Sequence, residues 1–452
     1  MKKHIRPAAF LLALALLLSL TGCMRGENGD MFALPEPPED YQNLKAKLDE
    51  VRTSIGGESI APMSGSNTQT VQLQDLDSDG RLESAVAFFR VPSDEKPLKV
   101  YIFRQQEDES YTVASVIEGV GTGIYSVSYE NLGGSQMKEA VVSWQISGDD
   151  HTLGAYSLED VEAIELLWVD SYTRFRLADL DNDLEREVVV LSLQTGEEDA
   201  SRAEYFDYDG AALALKSTAP LSTGINEIKT LRSGNLAGGI PALFVTSSFR
   251  DAPDQVVDIL SVRDGVLTNI TLDTTTMRSE ETVRSYTAVS GADIDRDGVM
   301  EVPLPVLARK SSGVTDDFWL LEWRQFDDRG RPHQVLTTFH NVTDGWYFDV
   351  PDSWTDRLVI SRQDSVSAGE RGVAFSLWQG DDRPAKTFLV LYKLTGTNQA
   401  SRAGLGERQT ILTDATDTYA FELMPQVWDT GLTGEDIISR FHIIRTEWST
   451  EN

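Results

Sequence analysis

The sequence predicts a mainly β protein, a five-bladed β-propeller of four-stranded blades followed by a small C-terminal α+β domain. Three acidic segments point to it: "DLDSDGRLESAVAF" at 75–88, "DLDNDLEREVVVL" at 179–191 and "DIDRDGVMEVPLPV" at 293–306. Each runs directly into an apolar segment of strand length. Their first aspartates, Asp75, Asp179 and Asp293, stand 104 and 114 residues apart, about twice the ~50 residues of a four-stranded unit.

Residues 1–22 read as a secretory signal: a basic start, then an apolar run from Ala8 to Leu20 that is short for a membrane span. Its end, Leu20-Thr21-Gly22-Cys23, resembles the lipobox of bacterial lipoproteins. That resemblance implies cleavage before Cys23, lipidation of its thiol, and an extracytoplasmic protein held to the bacterial cell membrane by acyl chains. Cys23 is the only cysteine, as suits an exported chain without disulfides. An uncleaved signal anchor is the alternative. Residues 23–40, with Pro35, Pro37 and Pro38, read as an extended tether. Within 41–66, Tyr41, Leu44, Leu48, Val51 and Ile55 recur at helical spacing, and a Gly-Ser-rich linker follows.

Residues 67–340 divide into five units. Shifting the acidic template by half a gap finds two worn copies, "ENLGGSQMKEAVVSW" at 130–144 and "GNLAGGIPALFV" at 234–245. In the first, Asn131, Gly133, Ser135 and Glu139 occupy the acid positions; in the second only Asn235 keeps a ligand type. Asp209-Gly210 and Asp264-Gly265 suit two-residue hairpin turns. Tyr172 and Tyr286 both precede the first aspartate of their motif by seven residues. The fifth unit is read as "YTAVSGADI", "MEVPLPVLA", "FWLLEWRQF" and "QVLTTFH". Radial repetition of such units protects strand edges; an open solenoid or tandem sandwiches are the rival architectures. Residues 341–452 lack the acidic repeat and are expected as a separate α+β domain. It carries strand-like runs such as "RLVISR" and "TFLVLYKL", and a final helix capped by Thr433 and Asp436.

The formal charge of −32 falls to about −35 once Lys2, Lys3 and Arg6 leave with the signal. A surface of that sign repels nucleic acid and favours divalent cations.

In each loop, side chains at positions 1, 3 and 5 can converge, a glycine at 6 permits a sharp turn, and an acid at 9 can close the shell. Hard oxygen ligands of this kind suit Ca2+. The expected ligands are Asp75, Asp77, Asp79, the carbonyl of Arg81 and Glu83 in the first loop. The fifth unit offers Asp293, Asp295, Asp297, the carbonyl of Val299 and Glu301. A third set is Asp179, Asp181, Asp183 and Glu187. An EF-hand is excluded, because its twelfth position is Val86, Val190 or Leu304 and the following segment is a strand. The loops resemble those of FG-GAP and VCBS-type repeats, in which D-x-D-x-D-G-x-x-D joins the first two strands of a blade and binds calcium. The departures are Glu at the ninth position and Leu184 in place of the third loop's glycine, which makes the third ion the least certain. Plain solvated turns are the alternative reading.

No nucleophile elbow, zinc helix or phosphate loop occurs, and "GVGTG" at 119–123 does not open a helix. Trp319, Trp323, Trp346, Tyr347 and Trp354 could stack on sugars or a partner's side chains, although core packing is the expected role. These features point to a non-catalytic, lipid-anchored binding or scaffolding protein that recognises a protein or glycan, with no nucleic-acid role. A carbohydrate-active hydrolase or lyase is the alternative.

Overall fold

The computed structural model describes residues 39–133, 137–193, 200–365, 369–414 and 416–444. The expected signal peptide, Cys23 and the tether before Glu39 lie outside them, as does Ser135. The helix expected from Tyr41 is present as Glu39–Ile55.

Six antiparallel sheets follow one another along the chain. The first contains Val71–Gln74, Ser84–Arg90, Leu98–Gln105 and Tyr111–Gly119, with the short Glu58–Ser59 also paired to Ser84–Arg90. The second runs from Gly123–Glu130 to Ile164–Val169, the third from Arg174–Ala178 to Leu213–Pro220, and the fourth from Ile225–Leu236 to Val266–Asn269. A turn at Asp264 and Gly265, both at positive φ, joins the last two strands of the fourth sheet.

The expectation of five blades is corrected to six sheets. The fifth sheet comprises Val302–Leu307, Trp319–Phe326, Pro332–Asn341, Trp346–Asp349 and Phe441–Ile443. The sixth comprises Leu358–Arg362, Glu370–Leu377, Lys386–Thr395, Asp417–Leu423 and Gln409–Thr413. It carries no acidic loop, so the motif period that measured out the others could not register it. "YTAVSGADI" is not a strand either. Its carbonyls are taken by arginines, Val289 by Arg284 at 2.8 Å and Gly291 by Arg232 at 2.6 Å. Only Ala292 makes an isolated bridge, to Glu301. The segment from 341 onward therefore supplies the last strands of the fifth sheet and all of the sixth.

The sheets stack because the second strand of the first four sheets and of the sixth is buried on both faces. Successive side chains of a strand point to opposite sides, and successive residues here join different cores. In Ser84–Arg90, Val86 and Phe88 pack with Ile124, Val127 and Trp144 of the second sheet, while Ala85, Ala87 and Phe89 pack under Leu44 and Val51 of the helix. Val141 of the second sheet meets Val188 and Val190 of the third; Val189 and Leu191 turn to Leu243 and Val245 of the fourth. Ala242 and Phe244 face Val302 and Leu304 of the fifth sheet. Leu320 and Phe339 of the fifth join Val373 and Phe375 of the sixth. The remaining face of the sixth sheet, with Ala374 and Val390, is covered by Ala403 of the short helix Gln399–Ala403. Among the described residues no core joins the first sheet to the sixth; helices cover those two terminal faces.

Polar ties secure the linkers. Asp258, fully buried, accepts hydrogen bonds from the Ser222 amide (3.0 Å) and hydroxyl (2.7 Å), Asn269 Nδ2 (2.8 Å) and Ser279 Oγ (2.6 Å). Ser222 lies between the third and fourth sheets, and Ser279 follows the fourth. The last helix, Gly434–Ser439, begins with the expected capping box of Thr433 and Asp436.

Helix Glu39–Ile55 acts as a clamp on the first sheet. Leu44→Ala should cost about 2–4 kcal/mol in urea unfolding, because its side chain is 6 % exposed. The exposed Lys45→Ala should change stability by less than about 0.5 kcal/mol. Equal effects of the two substitutions would rule the clamp out.

Candidate functional site

The three acidic loops fold alike, and their first aspartate organises each. Asp75 accepts the Asp79 amide on Oδ1 (3.1 Å) and the Gly80 amide on Oδ2 (3.0 Å). Asp293 takes the Asp297 and Gly298 amides at 3.1 and 3.0 Å. Asp179 takes those of Asn182 and Leu184 at 2.7 and 3.1 Å. The expected backbone ligands Arg81 and Val299 stand at the loop exits, where Asp79 and Asp297 each accept their amide at 2.8 Å.

These bonds require two left-handed residues per loop. Ser78, Asn182 and Arg296 have φ of 61°, 66° and 66°; Gly80, Leu184 and Gly298 have 89°, 76° and 89°. Leu184 therefore adopts the turn that its neighbours fill with glycine, at about 1 kcal/mol or more of backbone strain.

The ninth acid reaches back under the loop. Glu187 Oε2 accepts the Leu180 amide at 2.7 Å and Glu301 Oε2 the Ile294 amide at 2.8 Å. Glu139 does the same for Leu132 at 2.8 Å in the worn second copy. Burial raises all three, Glu139 and Glu301 to about 7 and Glu187 to about 8. Glu83 is raised by burial and then by Asp77 and Asp79.

Carboxylate oxygens of Asp75, Asp77, Asp79 and Glu83 lie within 4.8 Å of one another, as do those of Asp179, Asp181, Asp183 and Glu187. In the fifth unit only Asp293, Asp295 and Asp297 converge in this way. Gln325 accounts for the difference. Its Nε2 donates to Asp297 Oδ2 (2.8 Å) and Glu301 Oε1 (2.9 Å). Nothing in the linear motif signals Gln325, which arrives by strand pairing.

The worn copies act as splices between loops. Asn131 accepts the Arg186 amide on its carbonyl (2.7 Å), and Asn235 accepts that of Met300 (2.9 Å). Asn235 Nδ2 donates to the Gly298 carbonyl at 3.0 Å. Lys138 ties the second unit to the first loop, with its amide to Leu76 O (2.7 Å) and its Nζ to Asp75 O (2.9 Å). The loops thus form a polar rim along the stack.

No family model matches the chain, and no curated protein matches it. Solved structures do. They include yeast Sqt1 (Saccharomyces cerevisiae), at TM-score 0.27 and 11% identity over 66% of this chain and 79% of that one. A Lactobacillus plantarum protein matches at TM-score 0.26 and 12% identity, over 70% and 90%. The Dos1 propeller matches at 0.26 and 10%, over 81% of each. Among the described residues no helix is long and apolar enough to cross a membrane.

A groove of about 330 Å³ opens between the fifth and sixth sheets. Tyr286 and Trp319 line it with nearly parallel rings, 6.4 Å between centroids and 25° between planes. Asp316, Asp317, Asn341 and Arg362 supply its polar wall. The other aromatic candidates belong to the core: Trp323, Trp346 and Trp354 are at most 1 % exposed, and Tyr347 is buried against His340. "GVGTG" spans the turn between the first and second sheets.

Glu139 offers a pH test outside the three acidic clusters. Its carboxyl titrates near 7 when folded and near 4.5 when unfolded, because burial, with smaller contributions from Glu159 and Glu185, disfavours its charge. The folded state holds the extra proton between those values, so stability falls as pH rises from about 4.5 to 7. Glu139→Gln keeps an acceptor for Leu132 and has no charge to bury. Its melting point should match the parent at pH 4.5 and exceed it at pH 8, where a raise of this size corresponds to about 3 kcal/mol of stability. A parallel shift at both pH values would show that the charge is not the cause.

Proposed function

We propose that the chain is an extracytoplasmic, lipid-anchored binding scaffold, a propeller-type array of blades stapled by Ca2+ in the first, third and fifth acidic loops. The convergence of three or four carboxylates per loop carries this reading. Unneutralised, such groups repel one another, and a hard cation with six to eight oxygen ligands removes the repulsion. The resemblance to FG-GAP and VCBS-type loops supports the choice of calcium. Asp75, Asp179 and Asp293 would hold loop and ion together, while the acids at positions 3, 5 and 9 complete the shell. The lipobox-like Leu20-Thr21-Gly22-Cys23 supports anchoring through Cys23 to the bacterial cell membrane.

For the partner, this reading favours the groove between the fifth and sixth sheets. Tyr286 and Trp319 put two nearly parallel aromatic rings on the groove wall, surfaces suited to the C–H faces of sugar rings. The polar wall carries both signs, and Lys310 pairs with Asp317 at 2.5 Å, so the groove favours a neutral polar ligand over a charged one. A glycan meets that description better than a basic or acidic peptide.

Purified chain should bind two or three calcium ions by native mass spectrometry and melt at a clearly higher temperature in millimolar calcium than in EGTA. At a thousandfold excess over Kd each ion adds about 4 kcal/mol. An unmoved melt with no bound metal would reduce the loops to solvated turns. For the groove, Trp319→Ala should weaken binding on a glycan array ~10-fold or more with the melting point held. Unchanged glycan retention, or capture of a protein partner insensitive to free sugar, would remove the glycan assignment.

A further inference from the structure

We propose that the third loop, and not the fifth, is the tightest cation site of the chain, and that Asp207 on the neighbouring strand is a further carboxylate ligand there. This rests on the calcium reading given above. The linear motif ranks the loops the other way, since the first and fifth have the turn glycine and the third has Leu184.

The ranking turns on one position that strand pairing brings to each loop. Val188 pairs with Phe206, which sets Asp207 across from Glu187. Val302 pairs with Arg324, which sets Gln325 across from Glu301. Ser84 pairs with Arg104, and Glu83 O accepts the Gln105 amide at 2.8 Å, so Gln105 holds the same place in the first sheet. The three loops therefore differ by Gln, Asp and Gln at an equivalent cross-strand position.

A glutamine there can act as a donor, and in the fifth sheet it does. Gln325 bonds Asp297 and Glu301 together, and Ile294 takes the other oxygen of Glu301. Both Glu301 oxygens are satisfied without a cation, and Glu301 is withdrawn from the cluster. Asp207 has no proton to give in its ionised form. Glu187, 1 % exposed, spends Oε2 on the Leu180 amide, while its buried Oε1 has no partner among the described residues. That side chain belongs to the cluster in which Asp179, Asp181 and Asp183 converge. Tyr205, two residues before Asp207 on the same side of the strand, is fully buried with its hydroxyl also unpartnered. The counterion of Asp207, Lys216 at 3.6 Å, is half-exposed and offsets the carboxylate charge only in part.

Leu184 does not reverse this ranking. Its left-handed φ of 76° is already present in the ion-free loop, and its side chain is 85 % exposed. Strain present both before and after binding cancels from the affinity. The first loop falls between the other two: Glu83 Oε2 is buried without a partner, but Gln105 adds no charge.

The test is a calcium titration of the purified chain from nanomolar free ion upward, read by native mass spectrometry and a competing chelator. Asp183→Asn should abolish the tightest step and Asp297→Asn the weakest. Asp207→Asn should weaken the tightest step ~10-fold or more, while Leu184→Gly leaves it within about threefold. Gln325→Ala, which frees Glu301, should strengthen the weakest step, and it keeps the idea open to refutation should Asp207→Asn fold poorly. Loss of the tightest step in Asp297→Asn, with Asp207→Asn unchanged, overturns the assignment while leaving calcium binding intact. No ion bound by the parent at millimolar calcium overturns the calcium reading and this ranking together.

Discussion

In the first four sheets and the sixth, the second strand is buried on both sides, and the rest of the architecture follows from that. A strand such as Val188-Val189-Val190-Leu191, fully buried throughout, cannot belong to a sheet with one wet face. Each sheet must find a cover on either side, and the neighbouring sheet in sequence is the nearest available. The two terminal sheets have only one such neighbour, and they meet the same requirement with helices: Glu39–Ile55 over the first and Gln399–Ala403 over the sixth. The amphipathic helix ahead of the first sheet is therefore part of the core and not a spacer.

Stacking sheets in this way leaves their strand connections along a rim, where backbone amides need partners. The acidic loops supply them locally. A single aspartate at position 1 closes each loop on two amides, and in the third and fifth units the acid at position 9 reaches a third from beneath. The same carboxylates that fold the loop then crowd one another, so one geometry both satisfies the backbone and gathers negative charge. The second unit keeps the structural half alone. Glu139 still caps Leu132, but Asn131 has become a link to the third loop. The fourth unit keeps less still, and its linkers are gathered instead by the buried Asp258. Two polar solutions, one at the rim and one in the interior, serve the same stack.

The loops were legible in the sequence because their chemistry is local: ligand types, the left-handed positions and the following strand all fall within about a dozen residues. The sixth sheet was not, since nothing in it repeats the acidic motif, and the return of Phe441–Ile443 to the fifth sheet is a contact across some ninety residues. Gln325 and Asp207 escaped notice because they stand twenty or more residues from their loops and reach them only through register. Trp319 could not be told from Trp323 by pattern; four residues apart on one strand, the first borders a groove and the second is sealed in the core with its Nε1 on Thr338.

Register also explains why the three loops should not be treated as copies. The motif fixes position 1 to position 9 by covalent spacing, so the loop shape is common to all three. The strand that pairs behind position 9 is free to present a different side chain each time, and a donor there has the opposite effect of an acceptor. Gln325 satisfies the fifth loop internally, whereas Asp207 adds to the charge of the third. Gln325 leaves both Glu301 oxygens partnered, whereas the buried Glu187 Oε1 stays without a partner among the described residues. Within one chain, the same nine-residue motif thus yields a turn whose closing carboxylate is fully hydrogen-bonded or one left with an unpaired buried oxygen, and a residue outside the motif makes the difference.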